Sequence, residues 1–563
     1  MTDAAHTPEA AHAPETAHAL KAPGGSFARF AELLDRLVLT PQRNGKLKLL
    51  TDFFAQTPDP DRGYALAAVT RDLALRNVKA NLFRTLIAER MDVVLFELSY
   101  DYVGDLAETV SLCWPERPGA NAPPEFADAV ERLQSVSRAQ APQLLESWLD
   151  ALDARGRWAL IKLATGGLRI GVSARLAKQA LARYGDKPVE EIEELWHGLT
   201  IPYADLFAWL EGRAERPVSA AAAPFRPVML AHPILERAEL DALAPADFFA
   251  EWKWDGTRVQ AACEAYERRL YSRTGDDISA TFPDVLAALD GDVTLDGELL
   301  VFDPAAPPFK AAPFSHLQQR LNRKTVGRKL LETHPAFFRA YDLLRLDGED
   351  LRPLPFEDRR RRLEDFIAAA RPARVDLSPL VDFETWDDLA ARRAAPPAPE
   401  IEGLMLKRRA APYVPGRPKG EWWKWKRDPY LVDAVMLYAQ RGHGKRSSLY
   451  SDYTFGVWRE EDGARALVPV GKAYSGFTDD ELAKLDKFVR DHTTDRFGPV
   501  RQVRADEQVG LVLEIAFEGL NRSTRHKSGV AMRFPRINRI RWDKPAAEAD
   551  EIGLLEALLP NEL

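Results

Sequence analysis

Cysteine is almost missing: Cys113 and Cys263 are the only two in 563 residues. Two thiols exclude a disulfide framework and a four-cysteine zinc site, and both are read as small apolar fillers. Long hydrophobic runs are missing too. No stretch approaches the roughly 18 apolar residues of a membrane span, and the N-terminus lacks a basic-then-apolar signal segment, so a cytoplasmic address without a membrane partner is expected. There is no basic excess either, the formal net charge being −8. That total argues at first against a polyanion partner, but an acidic surface can coexist with a basic face, so local charge decides. At this length one core does not suffice, and two to four domains are expected.

The residues that are present change texture along the chain. Residues 1–25 form an Ala/His/Pro-rich tail with His6, His12 and His18 six residues apart; disorder is expected, with metal binding as the lesser alternative. From Ser26, read as an N-cap, Phe27, Phe30, Leu33, Leu34 and Leu37 follow helical spacing. Helical periodicity continues through 26–216, and Pro217–Pro224 reads as a linker. Residues 225–428 alternate β-rich runs (Leu295–Phe302, Ala336–Leu344, Ile401–Leu406) with a helix over Phe356–Ala370, an α+β texture. Residues 429–545 carry strand-like runs at Val432–Tyr438, Thr454–Trp458, Leu467–Val470 and Val509–Phe517, which suit a small Greek-key barrel. Residues 546–563 are a C-terminal tail. The fold class is multidomain, with an all-helical N-terminal domain, an α+β domain and a β-barrel.

The densest chemical signal is Glu251-Trp-Lys253-Trp-Asp255-Gly256-Thr-Arg258. A lysine attacks only as the neutral amine, so burial or neighbouring cations must lower its pKa. Trp252 and Trp254 offer apolar walls, and Gly256 permits a tight turn. A lone K-x-D-G match is weak, since most lysines near turns are solvated. Downstream, in order, come Ser272-Arg273-Thr-Gly275, Leu295-Asp296-Gly297-Glu298, Tyr341-Asp342-Leu343, Glu402-Gly403-Leu-Met-Leu-Lys407 and Trp422-Trp-Lys424-Trp-Lys426. Last comes Arg533-Phe-Pro-Arg536-Ile-Asn-Arg539-Ile-Arg541-Trp-Asp543-Lys544. In this order the motifs resemble the covalent nucleotidyltransferase superfamily, and within it the ATP-dependent DNA ligases, over about residues 225–545. The helical part resembles the family's DNA-binding domain more loosely, through Gly167-Leu-Arg169-Ile-Gly171-Val-Ser.

The resemblance implies a nucleotidyltransferase (adenylation) domain followed by an OB-fold, with ATP as cofactor and Mg²⁺, or alternatively Mn²⁺, as the metal. Lys253 would attack the α-phosphate and carry AMP. Positioned cations and the metal would then stabilise charge on the phosphate oxygens. Lys407, Lys424 and Lys426 would hold those oxygens and lower the pKa of Lys253. Glu298 and Glu402 are the implied metal ligands, Glu298 also touching the ribose. Arg258 and Arg273 would reach ribose or phosphates, and Glu251 the adenine edge. Tyr341 stands where the family usually stacks a phenylalanine on the base. Arg417 adjoins the family's loop arginine. Arg533, Arg536, Asp543 and Lys544 would orient the pyrophosphate, the barrel then swinging about a hinge near Arg427–Tyr430. Asp255 and Gly256 support the lysine.

Plainer readings stand beside these. Glu298 and Glu402 alone would be surface carboxylates, Tyr341 alone core, Trp422, Trp423 and Trp425 packing, and His443 a loop residue. Local charge favours a polyanion: Lys407, Arg408, Arg409, Arg417, Lys419, Lys424, Lys426 and Arg427 face Glu421 alone, and a second basic run spans Asn521–Lys544. The leading expectation is a monomeric enzyme sealing nicked duplex DNA, in repair and near the nucleoid. An RNA ligase or capping guanylyltransferase shares the lysine chemistry and remains the alternative; a DNA-binding scaffold with an inactive transferase fold is the non-enzymatic one. A NAD-dependent ligase is disfavoured by the missing cysteine-rich module.

Overall fold

The computed structural model describes residues 25–559 except 74, 76, 77, 118, 120, 219, 220, 303–308, 322, 324, 442–448, 462 and 525. The histidine-bearing tail, part of the linker, His443 and Arg525 lie outside the described residues. Two compact units are distinguished: residues 1–184 with 200–208, and residues 185–199 with 209–563. The α+β region and the β-rich C-terminal region thus share one unit.

The first unit is helical. Its Gly25–Leu39 helix buries Phe27, Phe30, Leu33, Leu34 and Leu37, as the spacing predicts. Phe30 stacks on Phe126 with ring centroids 4.1 Å apart. Ser26 does not act as expected. Its hydroxyl donates to Glu125 (2.6 Å) and accepts from the Phe126 N–H (2.7 Å), so it ties down the start of a different helix, Phe126–Ser135. The Gly167–Ser173 segment rests on a buried amine: Lys46 Nζ donates to the carbonyls of Ile170 (2.8 Å) and Gly171 (3.0 Å). Gly171 has φ +65°, and a Cβ there would lie 2.4 Å from that amine.

The second unit begins with two facing sheets. One runs His232–Pro233, Trp422–Lys426, Ile401–Arg408, Phe248–Trp254, Leu380–Val381. The other runs Glu267–Ser272, Thr257–Glu264, Val293–Val301, Ala336–Leu346, Glu349–Asp350, with Val375–Leu377 parallel to Ala336–Leu346. Side chains alternate along a strand, so Glu251 and Lys253 share one face of Phe248–Trp254. Register extends that face. Met405 pairs with both Glu251 and Lys424, and Gly403 with both Lys253 and Lys426. The opposite face packs Phe248, Ala250, Leu404, Leu406, Trp425 and Trp252 into a separate apolar layer. The Phe356–Ala370 helix follows the expected limits and buries Phe356, Arg359, Arg360 and Leu363.

The C-terminal region is a curled antiparallel sheet ordered Ala464–Ala473, Tyr450–Glu461, Tyr430–Arg441, Val500–Val503, Thr493–Phe497. Val512–Phe517 joins Tyr430–Arg441 to Arg536–Arg541. The Asp479–His492 helix is an element that the strand-like runs of this region did not announce. Its N-terminus carries a full capping box, Thr478 with Glu481, a signal present in the sequence.

Candidate active site

A β-bulge in the neighbouring strand prepares the partner of Lys253. Between the Ile401↔Trp254 and Gly403↔Lys253 pairs the register slips by one residue, which leaves Glu402 unpaired. Gly403 adopts φ +145°, and a Cβ on it would stand 2.3 Å from the Trp425 carbonyl. Glu402 Oε2 then lies 2.6 Å from Lys253 Nζ. Gly256 lies in the two-residue bend between Phe248–Trp254 and Thr257–Glu264, as expected, and a Cβ there would meet the Leu299 carbonyl at 2.6 Å.

The electrostatics of Lys253 run against the expected direction. Burial pulls the amine down, but Glu402, Glu298 and Asp255 outweigh it and hold Lys253 above the usual lysine value. The tryptophans do not wall it in. Trp252 belongs to the apolar layer on the other face, and Trp254 lies under the Arg339 guanidinium, 4.1 Å from its ring centroid. Burial beside a second carboxylate, Glu402, pushes Glu298 up to about 8 against the pull of Lys253. Around this pair stand Lys424, Arg273 and Arg417, which make no ion pair among the described residues. Burial lowers Lys424, and Lys426, Lys253, Arg417 and Arg273 lower it further; Arg273 is lowered by burial and by Arg258 and Arg417.

Lys407 is committed to partners within the protein. Its side chain is 2% exposed and its Nζ lies 2.5 Å from Glu251, itself 2% exposed. The ammonium faces the rings of Tyr341 (4.2 Å), Phe356 and Trp422 (4.7 Å each). The other Glu251 oxygen accepts from Arg360 Nη1 at 3.0 Å. Arg258 is likewise committed: it grips the wholly buried Asp296 through Nε (3.1 Å) and Nη2 (2.6 Å), and donates to the Met229 carbonyl and Tyr413. Tyr341 also points its hydroxyl at Asp296, 3.3 Å away. Asp296, quoted within a motif but given no role, and Tyr413, Arg359 and Arg360, which sequence reasoning passed over, are the partners of these candidate site residues and their neighbours. The two arginines sit in a basic run that looks solvent-facing until helical period is applied.

The C-terminal motif is split in space. Arg533 forms a bidentate pair with Asp255, two residues beyond Lys253, with one arm at 2.9 Å. Lys426 bonds Glu518 at 2.9 Å, and Arg536 approaches the same carboxylate at 4.0 Å. These side chains line a cleft of about 1140 Å³ together with Glu402 and Lys424. Asp543 and Lys544 are not brought there. Lys544 Nζ bonds Asp433 at 2.8 Å, Arg541 bonds both Asp433 and Asp543, and the Arg541 bond holds the Asp543 carboxyl down at about 2.

The geometry therefore defines a half-buried lysine paired with Glu402, a carboxylate that lines a cleft together with Lys424, Lys426 and Arg533. Three family models match successive stretches: DNA ligase N terminus over residues 26–182, ATP dependent DNA ligase domain over 228–426, and ATP dependent DNA ligase C terminal region over 446–544. A probable DNA ligase of Koribacter versatilis is 34% identical over 72% of this chain and 72% of its own length. A probable DNA ligase of Opitutus terrae is 31% identical over 96% of this chain, which spans 62% of that longer relative. The solved structure named Pmar-Lig_Pre. shares the fold, with TM-score 0.57 at 16% identity over 92% of this chain and 99% of its own. The chain belongs to the ATP-dependent DNA ligase family, and its C-terminal barrel is of the OB type. Among the described residues no helix is long and apolar enough to cross a membrane.

Proposed function

We propose that the chain seals 3′-OH/5′-phosphate nicks in duplex DNA through an AMP carried on Lys253. The observation that supports this most is the surplus of cations around that amine. Lys424, Arg273 and Arg417 make no ion pair among the described residues, as the cations of a pocket awaiting a triphosphate would. In the first step Lys253 Nζ forms a P–N bond to the α-phosphorus of ATP, the α–β phosphoanhydride bond breaks, and pyrophosphate leaves. In the second, an oxygen of the nick's 5′-phosphate takes the AMP and frees Lys253. In the third, the 3′-hydroxyl attacks that phosphate, the new phosphodiester forms, and AMP departs.

In the free chain the Glu402 carboxylate, 2.6 Å away, holds Lys253 above the usual lysine value against the pull of burial, so adenylylation requires that carboxylate to be drawn elsewhere. Among the described residues no cluster of three or more His, Cys, Asp or Glu side chains could by itself hold a metal. Glu298 and Glu402 nevertheless suit Mg²⁺, which takes one or two carboxylates along with substrate phosphates and water; when bound it supplies charge neutralisation at the triphosphate. Arg533 and Arg536 are assigned to the leaving pyrophosphate. Asp543 and Lys544 would need a turn of the barrel to share that task. The three-part division 26–216, 225–428 and 429–545 is retained, with the helical part as the DNA-binding domain.

Incubation with α-labelled ATP and Mg²⁺ tests the reading. Label is expected on the intact chain and absent from Lys253→Ala; label persisting on that variant defeats the proposal. Equal labelling by GTP favours the capping alternative.

A further inference from the structure

Arg360 belongs to none of the motifs, yet it is 3% exposed and joined to the strand that carries Lys253. It sits on the Phe356–Ala370 helix, where the 3.6-residue period turns Arg359 and Arg360 inward while Arg361 stays 69% exposed. Each inward arginine grips a buried carboxylate. Arg359 holds Asp342, next to Tyr341, through Nε (2.8 Å) and Nη2 (2.9 Å). Arg360 donates Nη1 to Glu251 Oε1 at 3.0 Å and Nε to Glu364 at 2.7 Å. Lys407 occupies the second oxygen of Glu251.

A carboxylate contacted by a cation at each oxygen presents acceptor oxygens only. Glu251 lies two residues from Lys253 on the same strand face, about 7 Å along the chain. That spacing sets it toward the far end of a nucleotide whose α-phosphate meets Lys253. Adenine presents an amino donor at position 6, whereas guanine presents a carbonyl acceptor there. In one fixed pose an acceptor-only Glu251 welcomes the first and repels the second.

We propose that Arg360 is a specificity-determining positioning residue, which fixes Glu251 as an acceptor at the base edge and so sets the preference for ATP over GTP. The inference rests on the reading that Lys253 takes up a nucleotide. It assigns base selection to a helix outside the recognised motifs, acting through a carboxylate rather than by touching the substrate.

The test measures label transfer from α-labelled ATP and α-labelled GTP, with kcat and KM for each, in the full-length chain. The unaltered protein is expected to label strongly with ATP and weakly with GTP; no ATP label at all defeats the underlying reading rather than this inference. Arg360→Met is expected to lower the ATP-to-GTP ratio of kcat/KM by about tenfold or more, mainly through KM. Arg360→Lys, which restores a cation and folds more safely, is expected to recover most of the ratio. Arg361→Met, on the exposed side of the same helix, is expected to leave it unchanged. Should Arg360→Met lose activity with both nucleotides in equal proportion, or Arg361→Met shift the ratio as much, the assignment is wrong.

Discussion

The two ends of the candidate nucleotide site are built on opposite principles. At the base end every charge is matched: Glu251 has Lys407 and Arg360, Asp296 has Arg258 and Tyr413, and Asp342 has Arg359. Around Lys253 the charges are left partly open, with Lys253 shared between carboxylates and Lys424, Arg273 and Arg417 making no ion pair among the described residues. Buried charges need partners to be tolerated, and a closed network fixes one geometry. Open charges cost stability and await a ligand that closes them. On the proposed reading, a rigid reader of the base is joined on one strand to a responsive centre for the phosphates.

The sharpest break in that contrast is at the base end. Lys407→Met strips one cation from a carboxylate that cannot reach water, and is expected to cost about 3–5 kcal/mol in urea unfolding. A loss below about 1 kcal/mol would mean that Glu251 is not held as described. At the phosphate end Glu298→Gln is expected to stabilise the metal-free protein at high pH. The folded Glu298 keeps its proton to about 8 while the unfolded one releases it near 4.5. Between those values the folded state binds more protons, so stability falls as pH rises, and the substitution removes that fall. With a chelator present, the melting advantage of Glu298→Gln is expected to grow from pH 5 to pH 8, reaching about 4 kcal/mol; an advantage independent of pH would contradict it.

Glu402→Gln is a milder change. Its pair with Lys253 is partly open to solvent, with side chains 22% and 24% exposed, so about 1 kcal/mol of stability is expected to go. The pH profile of self-adenylylation is the better readout. Removing a carboxylate that raises the amine should move its basic-side rise to lower pH, even where the maximal rate declines. An unmoved profile would show that another group sets the proton on Lys253. Smallest of all, Asp543→Ala removes an exposed partner of Arg541, and adenylylation is expected to slow far less than in Arg533→Ala. If both slow it alike, the barrel turns further during the reaction than the present arrangement implies.

Sequence alone carried the linear facts: helical spacing at Phe27–Leu37, the Phe356–Ala370 helix, the main strands, and the order of motifs around Lys253. Each depends on residue type and short-range period, which chemistry writes directly into the chain. The wrong expectations concern direction and depth. Trp252 and Trp254 flank Lys253 in sequence but face away from it, because strand neighbours alternate. Lys407 has the look of a phosphate ligand in the sequence, but the packing of the two sheets leaves it 2% exposed. The sign of the Lys253 shift also depends on folding, since nothing local to residue 253 announces that a bulge at Gly403 turns Glu402 toward it. Which carboxylate meets which cation is settled by register, bulges and layer packing, among residues up to 278 positions apart in the case of Asp255 and Arg533. The sequence supplied the reactive groups and their order, while tertiary structure decided which of them are free to react, because burial and distance act through space and not along the chain.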